Sequence, residues 1–242
     1  MRKFLLWVAI AALFLTGVAL IVDSVVPRTQ SSVTQPELEP ETAERIETSP
    51  TTAPSTKAVK IDSSVPVRLR FPSIKDGGKV VTVPVATRCN WVDGSIDPER
   101  TKMEAACYAT KRGKPYVLPG TQDKDVAVIA GHTMKQVKGD KRQIAFNPLR
   151  QWTRDRVMLR SGDAVELYTK ASQKVAKSCR LVYQVDKYWE IDKGRLAGAD
   201  EVWGKKPMPN TLLLIGCKQR QGGPSLENVV WRAKLVGAAG CG

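Results

Sequence analysis

Several things are scarce in this sequence, and each scarcity narrows the reading. Its 242 residues include one histidine, so any chemistry that calls for an imidazole falls on His132. No internal repeat runs through the chain, and no dense acidic cluster of the kind that forms a dedicated calcium site is present. No metal or other cofactor is therefore expected. Residues 23–62, rich in Ser, Thr, Pro, Glu and Gln, have little apolar periodicity. Such a stretch cannot bury enough surface to offset its ordering entropy, and reads as a disordered extracellular linker.

Only one long apolar run exists, at residues 4–22, broken by Thr16 and Gly17 and preceded by Arg2 and Lys3. At 1.5 Å per helical residue, about 19 residues suffice to cross a bilayer. The run ends in Leu20-Ile21-Val22 and offers no small-x-small cleavage site, so residues 1–22 read as an uncleaved signal anchor rather than a signal peptide. The two cations place the N-terminus in the cytoplasm. The expected location is the cell membrane, single-pass, with residues 63–242 outside.

Charge is unevenly spread. Residues 1–62 hold 6 Lys+Arg against 7 Asp+Glu, and the remainder 32 against 17, so the domain at 63–242 carries the whole basic excess. Anionic lipid or an anionic cell wall fits an outward-facing basic domain, and so does plain solubilising charge; that topology argues against nucleic acid. Five cysteines leave at least one unpaired. Cys89–Cys107 with Cys179–Cys241 is one pairing the sequence allows, but connectivity is not readable from spacing.

The domain's pattern is short strands. Residues 65–71 alternate apolar and polar up to Pro72, and 80–85 form a second strand whose Pro84 suggests an edge or strand end. Residues 126–130 and 211–215 are continuous apolar runs, the mark of strands buried on both faces. Further strands are expected at 164–169, 179–186, 188–191 and 229–236, and short helices near 98–107 and at 146–154. The fold class is mainly β: a closed barrel of about eight strands with short helices, after an N-terminal transmembrane helix.

His132 follows the first apolar run directly, in Ile-Ala-Gly-His-Thr, and Cys217 follows the second, in Leu-Leu-Leu-Ile-Gly-Cys. Each stands where a core strand meets its exit, the place where scaffolds present reactive groups. A thiol with a neighbouring imidazole is the equipment of cysteine acyl transfer. Spacing alone leaves structural roles open: a hydrogen-bonding imidazole and a buried, inert thiol.

Separated segments, in shared order over about 170 residues, resemble the sortases, the cysteine transpeptidases of Gram-positive and actinobacterial surfaces. They are Pro-Val-Arg-Leu-Arg-Phe-Pro-Ser-Ile (66–74), Ile-Ala-Gly-His (129–132), Ile-Ala-Phe-Asn-Pro-Leu (144–149) with Ser-Gly-Asp-Ala-Val-Glu-Leu (161–167), Tyr-Gln-Val (183–185), Thr-Leu-Leu-Leu-Ile-Gly-Cys (211–217) and Asn-Val-Val-Trp-Arg-Ala (228–233). The resemblance implies that Cys217 attacks the Thr carbonyl of a C-terminal Leu-Pro-x-Thr-Gly-like sorting motif on a secreted protein, with His132 protonating the departing amine. An amine of a peptidoglycan precursor or a pilin lysine then resolves the thioester.

Two departures stand out. The residue before the cysteine is normally Thr and here is Gly216, which removes a hydroxyl near the nucleophile and loosens the backbone. The family arginine normally opens the last strand, where this chain has Ser225-Leu226-Glu227-Asn228. Arg220, on the glycine-containing loop, and Arg232, on the strand itself, are the candidates for hydrogen-bonding the oxyanion. Two other outcomes remain open at this level: a sortase-like hydrolase in which water resolves the thioester, and a non-catalytic basic cell-wall-binding module. Polar residues 90–124 form an insert, either a cover for the substrate groove or a disulfide-closed surface loop.

Overall fold

In the computed structural model, the described residues form twelve strands, the alternating and continuous apolar segments among them. The structure describes residues 59–92, 95–110, 116–135, 142–151, 156–220 and 223–242. The apolar run at 4–22 and all but the end of the linker lie outside them. Among the described residues no helix is long and apolar enough to cross a membrane. Ile61 is already buried, and its carbonyl accepts from Thr121 N–H at 3.0 Å.

The strands are β1 (Pro66–Asp76), β2 (Lys79–Arg88), β3 (Asn90–Val92), β4 (Ser95–Asp97), β5 (Ala106–Ala109), β6 (Val126–Gly131), β7 (Arg150–Gln151), β8 (Arg156–Val157), β9 (Ala164–Thr169), β10 (Arg180–Asp192), β11 (Thr211–Arg220) and β12 (Gly223–Ala239). Eight of them close a barrel in the order β1-β2-β5-β6-β11-β12-β10-β9. The pairs β2–β5 and β6–β11 are parallel, and the other adjacent pairs are antiparallel. Each of the eight strands thus has a neighbour on both sides, as closure requires.

The barrel explains the two apolar runs. Along β6, Ala127 and Ile129 join the interior with Leu212, Leu214, Val229 and Trp231. The alternate residues, Val126, Val128, Ala130, Leu213, Ile215 and Val230, form a second buried cluster on the outer face. Val202 and the partly buried Trp91, Tyr116 and Trp203 pack against that cluster, so these strands are apolar on both sides. Trp91 stacks on Tyr116 with centroids 5.9 Å apart, and Tyr116 meets Trp203 at 5.1 Å.

Some expectations need correction. Residues 98–107 form no helix: Lys102 N–H and Ala105 N–H close successive turns, and β5 begins at Ala106. The helix expected at 146–154 is a single 3₁₀ turn, Asn147–Leu149, followed at once by β7. Pro148 supplies no N–H, and the Leu149 carbonyl is taken by Met158 and Leu159 N–H, so the chain pairs across instead of continuing to coil.

Pro72 does not end β1, which runs on to Asp76; the proline falls within a register shift between Phe71 and Lys75. The strands expected at 179–186 and 188–191 are one, β10, irregular between Val185 and Lys187. Pro84 stands just before β5 begins to pair with β2 at Val85, where β2 has a ladder partner only in β1.

Four cysteines are joined as Cys89–Cys107 and Cys179–Cys241, leaving Cys217 as a free thiol. The first bridge ties Cys89, the residue after β2, to β5; the segment 90–124, expected as an irregular polar insert, thus supplies a barrel strand as well as the β3–β4 hairpin.

Candidate active site

The site is built where β6 ends beside β11. Their parallel register runs from Thr211↔Val126 to Ile215↔Ala130, and two residues further on stand Cys217, within β11, and His132, just past the end of β6. Cys217 sits in β11 opposite Asn228 of β12. Because side chains alternate, Leu213, Ile215 and Cys217 share the outer face with Arg232, Val230 and Asn228, their partners across the ladder. The thiol thus lies at the end of the outer apolar surface, half-buried like His132.

Close packing fixes the backbone on the histidine side. A Cβ on Gly131 would stand 2.7 Å from the Phe146 ring, so only glycine lets that ring lie against the chain just before His132. Phe146 N–H donates to the His132 carbonyl at 2.9 Å. Met134 N–H donates to Asn147 Oδ1, and Asn147 Nδ2 donates back to the Met134 carbonyl, each at 2.8 Å. The loop 146–149, expected as a helix, therefore acts as a clamp for residues 132–134.

His132 Nε2 lies 3.1 Å from the Glu99 carbonyl. A carbonyl can only accept, so this nitrogen carries the hydrogen and Nδ1 is left to exchange a proton. Glu99 belongs to the insert, which therefore reaches the imidazole.

Thr133, buried just past the end of β6, links that strand's exit to β11. Its Oγ1 accepts from Cys217 N–H at 3.1 Å and donates to the Cys217 carbonyl. Gln219 Nε2 donates to the Thr133 carbonyl. Gly216 is the reason the side chain fits: a Cβ there would meet Thr133 Cγ2 at 3.1 Å and Val229 Cγ2 at 3.3 Å. The backbone at Gly216 is walled in, not loosened, and a hydroxyl does stand beside Cys217, on Thr133. The spacing of the motifs did not single out Thr133; only its place next to His132 hinted at it.

Across the ladder, Asn228 Oδ1 stands 4.0 Å from Cys217 Sγ. Arg232 is not brought to that position. Arg232 pairs with Leu213, and four residues of strand, about 13 Å, separate it from Asn228. Its guanidinium holds Asp186, with Nε at 2.9 and 3.0 Å from the two carboxylate oxygens, and lies over the Trp189 ring. Arg220 is the last residue of β11, opposite Gly223, not part of a loop; its side chain lies outside the described residues.

Lys218, next to the thiol, points to the other face. It pairs with Glu190 and, at 3.1 Å, with Glu227, while Glu190 also takes Arg150 at 2.8 Å. Burial alone would raise the Glu190 carboxyl, but hydrogen bonds from Lys218 and Tyr188 and the nearby Arg150 charge hold it below the usual carboxylate range. The Lys218 ammonium is raised, chiefly by its bond to Glu190. Among the described residues no three of His, Cys, Asp and Glu gather as metal ligands.

No family model and no curated protein sequence matches the chain. Solved structures do, and they are sortases. Sortase A of Listeria monocytogenes is 16% identical, over 73% of this chain and 90% of its own, with a TM-score of 0.44. Sortase C1 of Streptococcus suis is 16% identical over 73% of each chain, with a TM-score of 0.44. Sortase C of Streptococcus pneumoniae, solved for insight into catalysis and pilin substrate specificity, is 14% identical over 71% of this chain and 66% of its own, with a TM-score of 0.44.

Proposed function

We propose that this chain is a sortase-type cysteine transpeptidase, with Cys217 as nucleophile and His132 as its acid and base. The observation that carries the reading is the Thr133 hydroxyl, which ties the residue after the only histidine to the backbone of the only unpaired cysteine. Four cysteines are consumed in disulfides while the fifth is kept free and half-buried at the end of an apolar surface, which favours a reactive thiol over a binding module.

The Cys217 thiolate attacks the carbonyl carbon of a peptide bond in a sorting motif of the Leu-Pro-x-Thr-Gly kind. His132 gives its proton to the departing amine as the C–N bond breaks, leaving a thioester. An incoming amine attacks the thioester, His132 takes its proton, and the C–S bond breaks to regenerate the thiolate. One amide replaces another, so neither redox partner nor external energy source is needed.

The substrates of this reading are secreted proteins bearing the motif, and the acceptor is an amine of a peptidoglycan precursor or a pilin. The apolar run at 4–22 anchors the enzyme in the membrane with the barrel outside. Tethering raises the local concentration of substrates that begin at the same membrane face.

Product analysis of the full-length chain in detergent, given a sorting-motif peptide and an amine such as triglycine, tests the reaction class. Ligated peptide whose yield rises with amine supports transpeptidation. Release of free acid at every amine concentration makes the protein a hydrolase, and no turnover of any motif peptide removes the reading.

A further inference from the structure

We propose that Asn228 supplies the oxyanion contact in this site, in the place where an arginine was expected; the inference rests on the transpeptidase reading above. The geometry singles it out. Asn228 is the direct cross-strand partner of Cys217, on the same outer face, with its amide 4.0 Å from the sulfur. Cross-strand partners on one face have Cβ atoms about 4.5–5.5 Å apart, so the short Asn side chain meets the thiol where a long arginine would have to fold back.

The reacting carbon bonds to Sγ, and the oxyanion sits one bond further on. A group 4.0 Å from the sulfur therefore lies within reach of the roughly 2.7–3.1 Å that an oxyanion donor needs. A half-turn about the last side-chain torsion of Asn228 exchanges Oδ1 for Nδ2, presenting two N–H donors where the oxygen now stands.

Three donors nearby, among the described side chains and backbone groups, are committed elsewhere. The Cys217 N–H, a natural oxyanion donor for its own acyl group, is held by Thr133 Oγ1 at 3.1 Å. Lys218 lies on the opposite face with Glu190 and Glu227, and Arg232 is clamped by Asp186 four residues along the strand. A neutral amide has a further consequence: the site carries less positive charge at the thiol than an arginine would bring, so acylation should be less salt-sensitive.

The test measures two rates on the full-length chain in detergent. One is thioester formation with a sorting-motif peptide, by quenched-flow mass spectrometry; the other is alkylation of Cys217 by iodoacetamide, which forms no oxyanion. Asn228→Ala should slow thioester formation about 10²–10³-fold and leave alkylation within twofold. Asn228→Asp, similar in size but without the donor, should be at least as slow in acylation, and Asn228→Gln should recover part of the loss. The proposal is overturned if Asn228→Ala acylates within threefold of the parent, or if acylation and alkylation fall together, the sign of a displaced thiol. It is also overturned if Arg220→Ala, and not Asn228→Ala, abolishes acylation with alkylation intact. A parent chain that alkylates normally yet forms no thioester with any motif peptide removes the transpeptidase reading, and this assignment with it.

Discussion

The Thr133 hydroxyl holds Cys217 by both of its backbone groups, accepting from the N–H at 3.1 Å and donating to the carbonyl. The two residues are 84 apart in sequence; Cys217 lies within β11 and Thr133 just past the end of β6. Through this contact the position of the thiol becomes a property of the β6–β11 pairing and not of β11 alone. Removing the hydroxyl while keeping the shape, in Thr133→Val, leaves buried backbone groups unpaired at a cost of about 1–3 kcal/mol. Acylation of Cys217 is expected to fall by about tenfold to a hundredfold, the usual penalty for a slightly misplaced reacting group. Thr133→Ser should retain most of the parent's rate in the same assay.

Thr133 and Gly216 are matched. The added Cβ of Gly216→Thr would press on Thr133 Cγ2 and Val229 Cγ2, at 3.1 and 3.3 Å. The single change should destabilise by about 1–3 kcal/mol through overpacking. Paired with Thr133→Ser, which removes the opposing methyl, part of that loss should return. A double-mutant cycle by chemical denaturation is expected to give a coupling of at least about 0.5 kcal/mol; strict additivity would mean that the two side chains do not share the space.

The two disulfides close spans of 18 and 62 residues. In the chain-entropy account these contribute about 3 and about 4 kcal/mol. Reduction in a Cys217→Ala background, which prevents reshuffling through the free thiol, should lower Tm by on the order of 10 °C. Calorimetry before and after reduction measures it directly.

Acid should loosen the barrel through two carboxylates. Glu166, nearly buried, pairs with Arg70 at 2.6 Å and Arg180 at 2.9 Å. Burial alone would raise its carboxyl; the hydrogen bonds from Arg70 and Arg180 and their charges outweigh that and lower it, as happens at Glu190. A carboxyl lowered on folding contributes stability above its ordinary value of 4.5, and that contribution is lost as pH falls through the lowered native value. Tm is therefore expected to be flat above about pH 5 and to drop below it. Glu166→Gln should start from a lower Tm and fall less steeply.

What the sequence revealed follows from which forces are local. β6 and β11 were legible because both of their faces are buried, and this leaves continuous apolar runs that no surface strand tolerates. His132 and Cys217 stood out because each is a reactive residue at the exit of such a run. Within the stretch 146–154, expected as a short helix, only the turn at Asn147–Leu149 coils, because Pro148 and the long-range bonds from Met158 and Leu159 to the Leu149 carbonyl decide otherwise. Thr133 escaped notice because its role is a contact across 84 residues, with no period or spacing to betray it. The arginine was sought by residue type, whereas strand register names the residue opposite the thiol. Position 228 faces the thiol and holds an asparagine, while Arg232, on the same face, is turned to Asp186.

The central claim is that Cys217 is an acylating nucleophile, and intact-mass spectrometry of the full-length chain after exposure to a sorting-motif peptide tests it most directly. A mass increase equal to the peptide cut after its Thr is expected, located on Cys217, absent in Cys217→Ala, and discharged when an amine is added. An unmodified chain across a panel of motif peptides, with Cys217 still open to alkylation, would contradict it.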